Sequence, residues 1–164
     1  MLIASVVAAS YYQEIIIFSQ GYAGMNLLSQ ITFGTLCLGV CLIGHVGVLA
    51  ACVPVLKWHG AKTLSGSVIW RMISLTSIML VAIVVAHSLQ IWLWTLIWTV
   101  SGAVSDLNTA IYFSTVTYTT LGYGDVVLGP EWRILATFSS VAGLLTFGVS
   151  TAFLVGLIAQ VFKE

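Results

Sequence analysis

Charged side chains are scarce in this chain of 164 residues. Five are basic and five are acidic, and together they make up 6% of the residues, whereas soluble domains carry about 25%. Hydrophobic residues account for 60%. This balance predicts an integral membrane protein. A net charge of zero gives no basis for a nucleic-acid partner.

Several chemical signatures are also missing. The chain has no glycine-rich phosphate loop and no plausible pair of nucleophile and base, which argues against an enzyme and against an organic cofactor. The three cysteines, Cys37, Cys41 and Cys52, fall inside one apolar stretch, which argues against a disulfide framework. No basic segment precedes the first apolar residues, so no cleavable signal peptide is predicted.

Long apolar runs dominate what is present. A bilayer-spanning helix needs about 20 apolar residues. Three stretches exceed that length: residues 26–56, 68–98 and 131–162. Residues 57–67 are predicted to form a cytoplasmic loop. Residues 99–130 are too polar to cross completely and are predicted to enter the membrane only part of the way, shielded by protein or water.

The N-terminal segment, residues 1–25, has two interpretations. It is apolar enough for a short helix, but Gln13 and Glu14 lie near its middle. We predict an interfacial segment on the outer side. A fourth span is the alternative, since a single glutamate at that depth costs only a few kcal/mol.

Basic residues determine the predicted orientation. Lys57, Lys62 and Arg71 surround the connection between the first two spans, and Lys163 follows the third. Cytoplasmic segments are enriched in lysine and arginine, so the C-terminus is predicted to be cytoplasmic and residues 99–130 to face outward. Four tryptophans near that outer boundary are predicted to be interfacial: Trp92, Trp94, Trp98 and Trp132.

The most constraining segment is residues 119–125, which read Thr-Thr-Leu-Gly-Tyr-Gly-Asp. Gly122 and Gly124 can adopt backbone conformations that are closed to other residues, so the carbonyls of this run can all point one way. If several copies surround one axis, their carbonyl oxygens form stacked rings. Such rings can replace the water around a small monovalent cation.

This segment resembles the selectivity filter of tetrameric potassium channels, whose usual form is Thr-Val-Gly-Tyr-Gly, with Leu121 in the place of valine. The resemblance covers about residues 68–162, because Trp132-Arg133 stand where family members commonly carry Gly-Arg, and Phe147-Gly148 repeat another familiar pair. It implies K⁺ sites at four backbone carbonyls, with Gly124 completing the filter over residues 120–124. The four are Thr120, Leu121, Gly122 and Tyr123.

The fold implied by this resemblance is an all-α, tetrameric potassium-channel pore of the small bacterial two-helix type. Its parts would be an outer helix over 68–98, a turret over 99–105, a pore helix over 106–119 and an inner helix over 131–162. The stretch 26–56 would be one additional N-terminal transmembrane helix. Either Ser105 or Asp106 is the predicted N-cap of the pore helix.

Some positions depart from the family pattern behind the filter. Tyr112 and Phe113 stand where many relatives have two tryptophans, one of which bonds the aspartate after the filter. We predict that the Tyr112 hydroxyl bonds Asp125 instead. Val116 replaces a glutamate that some bacterial channels bury, so no carboxyl–carboxylate pair is expected. These residues and Thr119 are the predicted filter support.

Two residues are gating candidates by the same resemblance. Gly143 falls where the inner helix of these channels has its flexible glycine and is the predicted hinge. Phe162, where the inner helices would converge, is the candidate inner gate. No span carries arginines at every third position, so no conventional voltage sensor is predicted.

A stripe of soft ligands lies on the first span. Cys37, Cys41 and His45 recur at intervals of four and therefore share one helix face. Such a stripe could bind a soft metal ion. The nearby glycines favour close helix packing instead: Gly34, Gly39, Gly44 and Gly47.

His87 interrupts the second span. It either hydrogen-bonds a neighbouring helix or responds to pH, since its ordinary pKa lies near 6.5. The charges predicted near the outer mouth are Asp106, Glu131 and Arg133.

Together these features predict a homotetrameric channel that conducts K⁺ passively, in contact with membrane lipids, as a multi-pass protein of the plasma membrane. The resemblance points to a bacterial inner membrane. Two alternatives stay open: a weakly selective cation channel, and a regulatory membrane subunit that carries no current.

Overall fold

The computed structural model describes residues 25–63 and 67–161, and within these ranges it contains four helices and no strand. The helices are α1 (Leu27–Lys62), α2 (Val68–Val100), α3 (Leu107–Tyr118) and α4 (Pro130–Val161). Three of them, α1, α2 and α4, are long and apolar enough to cross a membrane. The predicted all-α membrane fold is confirmed. Residues 1–24 of the predicted interfacial segment and the gate candidate Phe162 lie outside the described residues.

Three helices begin at residues that suit a helix N-terminus. Asn26 Oδ1 accepts a hydrogen bond from the Ser29 amide at 2.8 Å, and Asp106 Oδ2 accepts one from the Thr109 amide at 2.9 Å. Such caps satisfy amides that have no partner inside the helix. Pro130 begins α4, where its missing N–H and fixed φ are no disadvantage. Of the two predicted caps of α3, the structure selects Asp106.

The first helix is longer than predicted. The predicted span ends at residue 56, where charged residues begin, but the helix continues to Lys62, so residues 57–62 are helical and not part of a loop. Helix propagation depends on backbone hydrogen bonds and propensity, which lysine and alanine support, and does not require apolar side chains. Lys62 Nζ also lies 3.8 Å from the centre of the Trp58 ring, a cation–π contact one turn back. Similarly, α2 runs to Val100, two residues into the predicted turret.

The short helix α3 lies between α2 and α4 at one end of the bundle, and it buries two tryptophans of α2. Trp94 and Trp98 are fully buried and stack with ring centroids 5.5 Å apart. Phe113 of α3 meets the Trp98 ring edge-on at 5.8 Å. The interfacial prediction is therefore wrong for these two tryptophans, because α3 covers the face of α2 that carries them. Trp92 remains 52% exposed.

The N-terminal helix α1 packs against α4 as well as against α2. The Phe138 ring of α4 lies directly against Gly34, and Gln30 Oε1 accepts a hydrogen bond from the Leu135 amide at 3.3 Å. The predicted close packing therefore holds at Gly34. Within the described part of the chain, an added Cβ would meet open space at three other glycines of α1: Gly39, Gly44 and Gly47.

At the other end of the bundle, α1 and α2 share a buried apolar cluster. Its members are Leu49, Leu56, Leu75 and Met79. Lipid tails are as apolar as leucine, so close packing rather than transfer out of water holds membrane helices together. The packing of α1 against its neighbours therefore depends on close contacts such as that between Gly34 and Phe138.

We expect Gly34→Ala to destabilise the folded protein by about 1–3 kcal/mol, because the new methyl group would overlap the Phe138 ring and force it to move. Thermal unfolding in detergent, followed by tryptophan fluorescence, measures the change. Gly39→Ala is the matched control and should leave the midpoint unchanged or raise it, since alanine is the better helix former. Equal midpoints for the two variants would contradict the docking of α1 through Gly34.

Candidate functional site

The filter segment, defined here as residues 119–125, begins where α3 ends. The Thr119 amide still bonds the Thr115 carbonyl at 3.0 Å, and the Thr119 hydroxyl donates to the same carbonyl at 2.7 Å. The segment therefore continues directly from the C-terminal turn of the helix. The last carbonyls of a helix carry partial negative charge, which favours a nearby cation.

The backbone of this segment alternates in handedness. Thr120, Gly122 and Gly124 have positive φ values of 60°, 54° and 79°, whereas Leu121 and Tyr123 between them do not. In an ordinary strand successive peptides point to opposite sides. A positive φ at every second residue reverses the orientation of alternate peptide groups. Successive carbonyls can then point to the same side.

Thr120 is the only non-glycine residue with positive φ among the described residues. Such a conformation in a residue with a Cβ costs on the order of 1–3 kcal/mol and persists only where the surroundings enforce it. Two glycines reach the same region with no steric penalty. The strain is therefore concentrated at Thr120, the first residue of the alternating run.

The amide groups of the segment are held by α3. The Thr120 amide donates to the Thr117 carbonyl at 3.0 Å, and the Leu121 and Gly122 amides both donate to the Val116 carbonyl at 2.9 and 3.2 Å. Within the described part of the chain, no donor bonds the carbonyls of residues 120–124. Those carbonyls are therefore left available, and carbonyl oxygens are able to bind a cation.

The predicted hydrogen bond between Tyr112 and Asp125 is present. The Tyr112 hydroxyl donates to Asp125 Oδ2 at 2.6 Å, which ties the end of the filter segment to the middle of α3. This bond lowers the pKa of the Asp125 carboxyl below its ordinary range and raises the pKa of the Tyr112 phenol. Asp125 therefore stays ionised to a lower pH than an ordinary aspartate does.

The C-terminal end of α3 packs against a face of α4 that is formed by small residues. The backbone carbonyl of Tyr118 lies directly over the Cα of Gly143, where any side chain would overlap it. One turn earlier on α4, the Ser140 hydroxyl donates to the Thr117 carbonyl at 2.9 Å. Gly143, predicted as a hinge, thus has a packing role in this structure, and its movement in gating stays a prediction.

Two contributors to the site were not identified from the sequence, and a third was identified for a different reason. Ser140 and Tyr118 carry no recognisable motif, and their roles depend on which helices meet. Val116 was singled out for its side chain, which is buried, yet its carbonyl is what holds two amides of the filter segment. A backbone role of this kind leaves no signal in residue identity.

The soft-ligand stripe of α1 does not gather as a metal site. Within the described residues no group of three or more His, Cys, Asp or Glu side chains could hold a metal ion. His45 instead bonds Gln90 and Ser150. His87 bonds Tyr118 and Ser150, which confirms the predicted hydrogen bond to a neighbouring helix.

One chain leaves the filter segment open on one side. Leu121 is 54% exposed and Tyr123 is 68% exposed. The amides of residues 120–122 bond α3, whereas the side chains of Leu121 and Tyr123 are left uncovered by the single chain. A single chain therefore supplies only one wall of any enclosed ion path.

A protein-family model described as "Ion channel" matches residues 78–160. The matched stretch contains most of α2, all of α3, the filter segment and nearly all of α4. It comprises just over half of the chain. Neither the curated proteins nor the solved structures contain a match.

We expect Gly143→Ala to abolish correct placement of the filter segment, because the added methyl group would overlap the Tyr118 carbonyl, a backbone atom that cannot turn aside. Overpacking of this kind costs about 1–3 kcal/mol or more. Thermal unfolding together with ion flux in liposomes measures the effect. Gly148→Ala, on the same helix with open space around the new methyl group, is the control. Wild-type flux in the Gly143→Ala variant would disprove the contact.

Removing the phenol hydroxyl by Tyr112→Phe should raise the pKa of Asp125 towards its ordinary value of 3.8, because the main cause of the lowered pKa is lost. A carboxyl with a lowered pKa stabilises the folded state above the unfolded pKa, and this contribution disappears as pH falls through the folded pKa. The variant should therefore have little of that contribution at any pH, and its Asp125 carboxyl should take up a proton at a higher pH than that of the wild type.

Carbon NMR of labelled aspartate carboxyls measures this titration directly. Asp106 is the internal control, since its pKa is lowered by Thr109 and should not respond to the change at Tyr112. An unchanged Asp125 titration would show that the Tyr112 bond does not form in the membrane protein.

Proposed function

The chain belongs to the ion channel family, and from that premise we propose that it conducts K⁺ passively and selectively across a membrane. The observation that carries this proposal is the alternating backbone of residues 120–124, whose amides bond α3 while its carbonyls lack donors in the described part of the chain. Carbonyl oxygens in a ring can replace the hydration shell of a monovalent cation. The proposed K⁺ ligands are the carbonyls of Thr120, Leu121, Gly122 and Tyr123.

The segment's surroundings support a filter of fixed width. Its amides are anchored at Val116 and Thr117, and its far end is anchored through Asp125 to Tyr112. A filter held from behind at both ends resists collapse when an ion leaves. The C-terminal end of α3 adds negative potential near the ions. Repulsion between ions in neighbouring sites then keeps exit fast.

We propose that four copies close around one axis to form the conduction path. The exposed filter segment of a single chain supports this, because rings of carbonyls require more than one copy. Cyclic symmetry is the usual arrangement of such homo-oligomers. In this assembly α4 would be the inner helix, α2 the outer helix, and α1 would pack behind the two.

The orientation belongs to the same proposal. The basic residues Lys57, Lys62 and Arg71 would lie on the cytoplasmic side, and the filter segment would face outward, in a bacterial inner membrane. Conduction involves no catalysed reaction, and we assign the chain no enzymatic activity.

The proposed function is tested with purified protein in liposomes. The wild type should release K⁺ down its gradient, Ba²⁺ should block the release, and the reversal potential in mixed solutions should follow K⁺ rather than Na⁺. A reversal potential that responds equally to both ions would support the weakly selective alternative. Absence of any Ba²⁺-sensitive flux would support a subunit that carries no current.

Gly122→Ala should abolish K⁺ selectivity in the same assay. The residue sits at φ 54°, where an alanine is less stable by roughly 1–2 kcal/mol in each subunit, and the backbone should relax away from the alternating form. Gly39→Ala, in open space on α1, should conduct as the wild type does. Retained selectivity in the Gly122→Ala variant would contradict a filter built on this backbone.

A further inference from the structure

A chain of buried polar side chains crosses the bundle and includes Tyr118, the residue that precedes the filter segment. All four described helices contribute to it, and every member is at most 8% exposed. In order, its members are Gln90 and His45, then Ser150, His87, Tyr118 and Thr146. None of these side chains lies in the proposed conduction path, so conduction alone does not explain them.

Each neighbouring pair in this polar chain lies within hydrogen-bond distance. The distances are 2.8 Å from Gln90 Nε2 to His45 Nδ1, 2.8 Å from His45 Nε2 to Ser150 Oγ, 3.2 Å from Ser150 Oγ to His87 Nε2, 2.8 Å from His87 Nδ1 to the Tyr118 hydroxyl, and 2.8 Å from that hydroxyl to Thr146 Oγ1. The chain is therefore continuous over five hydrogen bonds.

The position of its last member fixes the direction of these bonds. The Thr146 hydroxyl lies 2.8 Å from the Ala142 carbonyl, and a carbonyl can only accept. A hydroxyl has one hydrogen to donate, so Thr146 donates to Ala142 and must accept from Tyr118. The Tyr118 hydrogen is thereby committed to Thr146.

The same reasoning assigns the protons of both histidines. Tyr118 must accept from His87 Nδ1–H, which leaves His87 Nε2 to accept from the Ser150 hydroxyl. Ser150 in turn accepts from His45 Nε2–H, and His45 Nδ1 accepts from the Gln90 amide. Both histidines are therefore neutral, and they carry their protons on different ring nitrogens.

We propose that this polar chain positions the inner end of the filter, so that His45 on the N-terminal helix acts on conduction through Ser150, His87 and Tyr118, and that proton binding at His87 disrupts it. The inference rests on the proposed function, because it concerns regulation of the same filter. Tyr118 is the link: its hydroxyl bonds both His87 and Thr146 in the polar chain, its carbonyl lies on Gly143, and the next residue begins the filter segment.

Protonation of His87 is enough to disrupt this sequence of donors and acceptors. A protonated histidine donates from both ring nitrogens. If His87 is protonated, Ser150 faces two donors and loses the acceptor of its own hydrogen. A buried polar group without a partner costs about 1–3 kcal/mol, so the neighbouring side chains must rearrange. A proton on His45 is accommodated more easily, because the Gln90 side chain can turn its unpartnered Oε1 to accept from Nδ1–H.

No neighbouring charged side chain is placed to stabilise a protonated histidine. The titratable groups that face the chain are Cys41 and the two histidines, together with the Tyr118 phenol. Helices α1, α2 and α3 contain no Asp or Glu, and the one carboxylate of α4, Glu131, lies in its first turn. The basic residues of these helices lie near their ends, at Lys57, Lys62, Arg71 and Arg133, with His59 between the two lysines.

The assigned protons can be observed by solid-state ¹⁵N NMR of the protein in bilayers. The sequence has three histidines, and His59→Gln leaves only the two of the polar chain. At pH 7.5 we expect one neutral ring protonated at Nε2 and one at Nδ1, with His45→Gln identifying the first. A single tautomer shared by both rings, or a charged ring at this pH, would overturn the proposal without reference to conduction.

A flux experiment tests the link between the two histidines. The substitution Ser150→Ala removes the hydroxyl that bonds both of them. We expect a loss of K⁺ over Na⁺ selectivity at pH 7.5 of about threefold or more, as is typical for coupled contacts. Ser150→Thr keeps the hydroxyl and should restore selectivity. The control is Ser77→Ala on α2, whose hydroxyl bonds only the Ile73 carbonyl of its own helix.

Acid should have the same effect as the substitution. Between pH 7.5 and 4, wild-type selectivity should fall towards that of the Ser150→Ala variant, with most of the fall below about pH 5 because burial disfavours a charged ring. The variant itself should change little. If the wild type conducts K⁺ and Ser150→Ala behaves as Ser77→Ala does at both pH values, this inference fails while the proposed function stands. If the wild type passes no K⁺, the proposed function fails, and the NMR measurement still decides whether the polar chain is ordered.

Discussion

The contact between the Tyr118 carbonyl and Gly143 determines where the filter segment begins. Because no side chain intervenes, the C-terminal turn of α3 can rest on the backbone of α4, and Ser140 ties the adjacent Thr117 carbonyl to the same helix. From that fixed turn, the Val116 carbonyl can reach two amides of the filter segment. The alternating backbone and its strained first residue, Thr120, depend on this anchoring.

Features that arise within a few turns of chain could be predicted from the sequence. The cap at Asp106, the glycines that permit positive φ, and the bond from Tyr112 to Asp125 all belong to one short stretch in which spacing limits the geometry. The apolar runs likewise indicated three long helices. The resemblance to potassium-channel filters supplied the role of the segment.

Features that depend on which helices meet could not be predicted. Trp94 looked interfacial because its depth in the membrane was visible in the sequence, whereas the arrival of α3 on its face was not. The closeness of Gly143 to Tyr118 joins residues 25 positions apart in the sequence. The extension of α1 to Lys62 was missed because hydropathy marks the edge of the lipid and not the end of a helix.

The proposed function requires that backbone carbonyls of the filter segment bind K⁺. The most direct measurement is an experimental structure of the purified protein in K⁺ replaced by Rb⁺ or Tl⁺, with ion positions identified by anomalous scattering. We expect a row of peaks on the axis between subunits, level with the carbonyls from Thr120 to Tyr123. An axis without such peaks, or ions bound elsewhere by side chains, would contradict it.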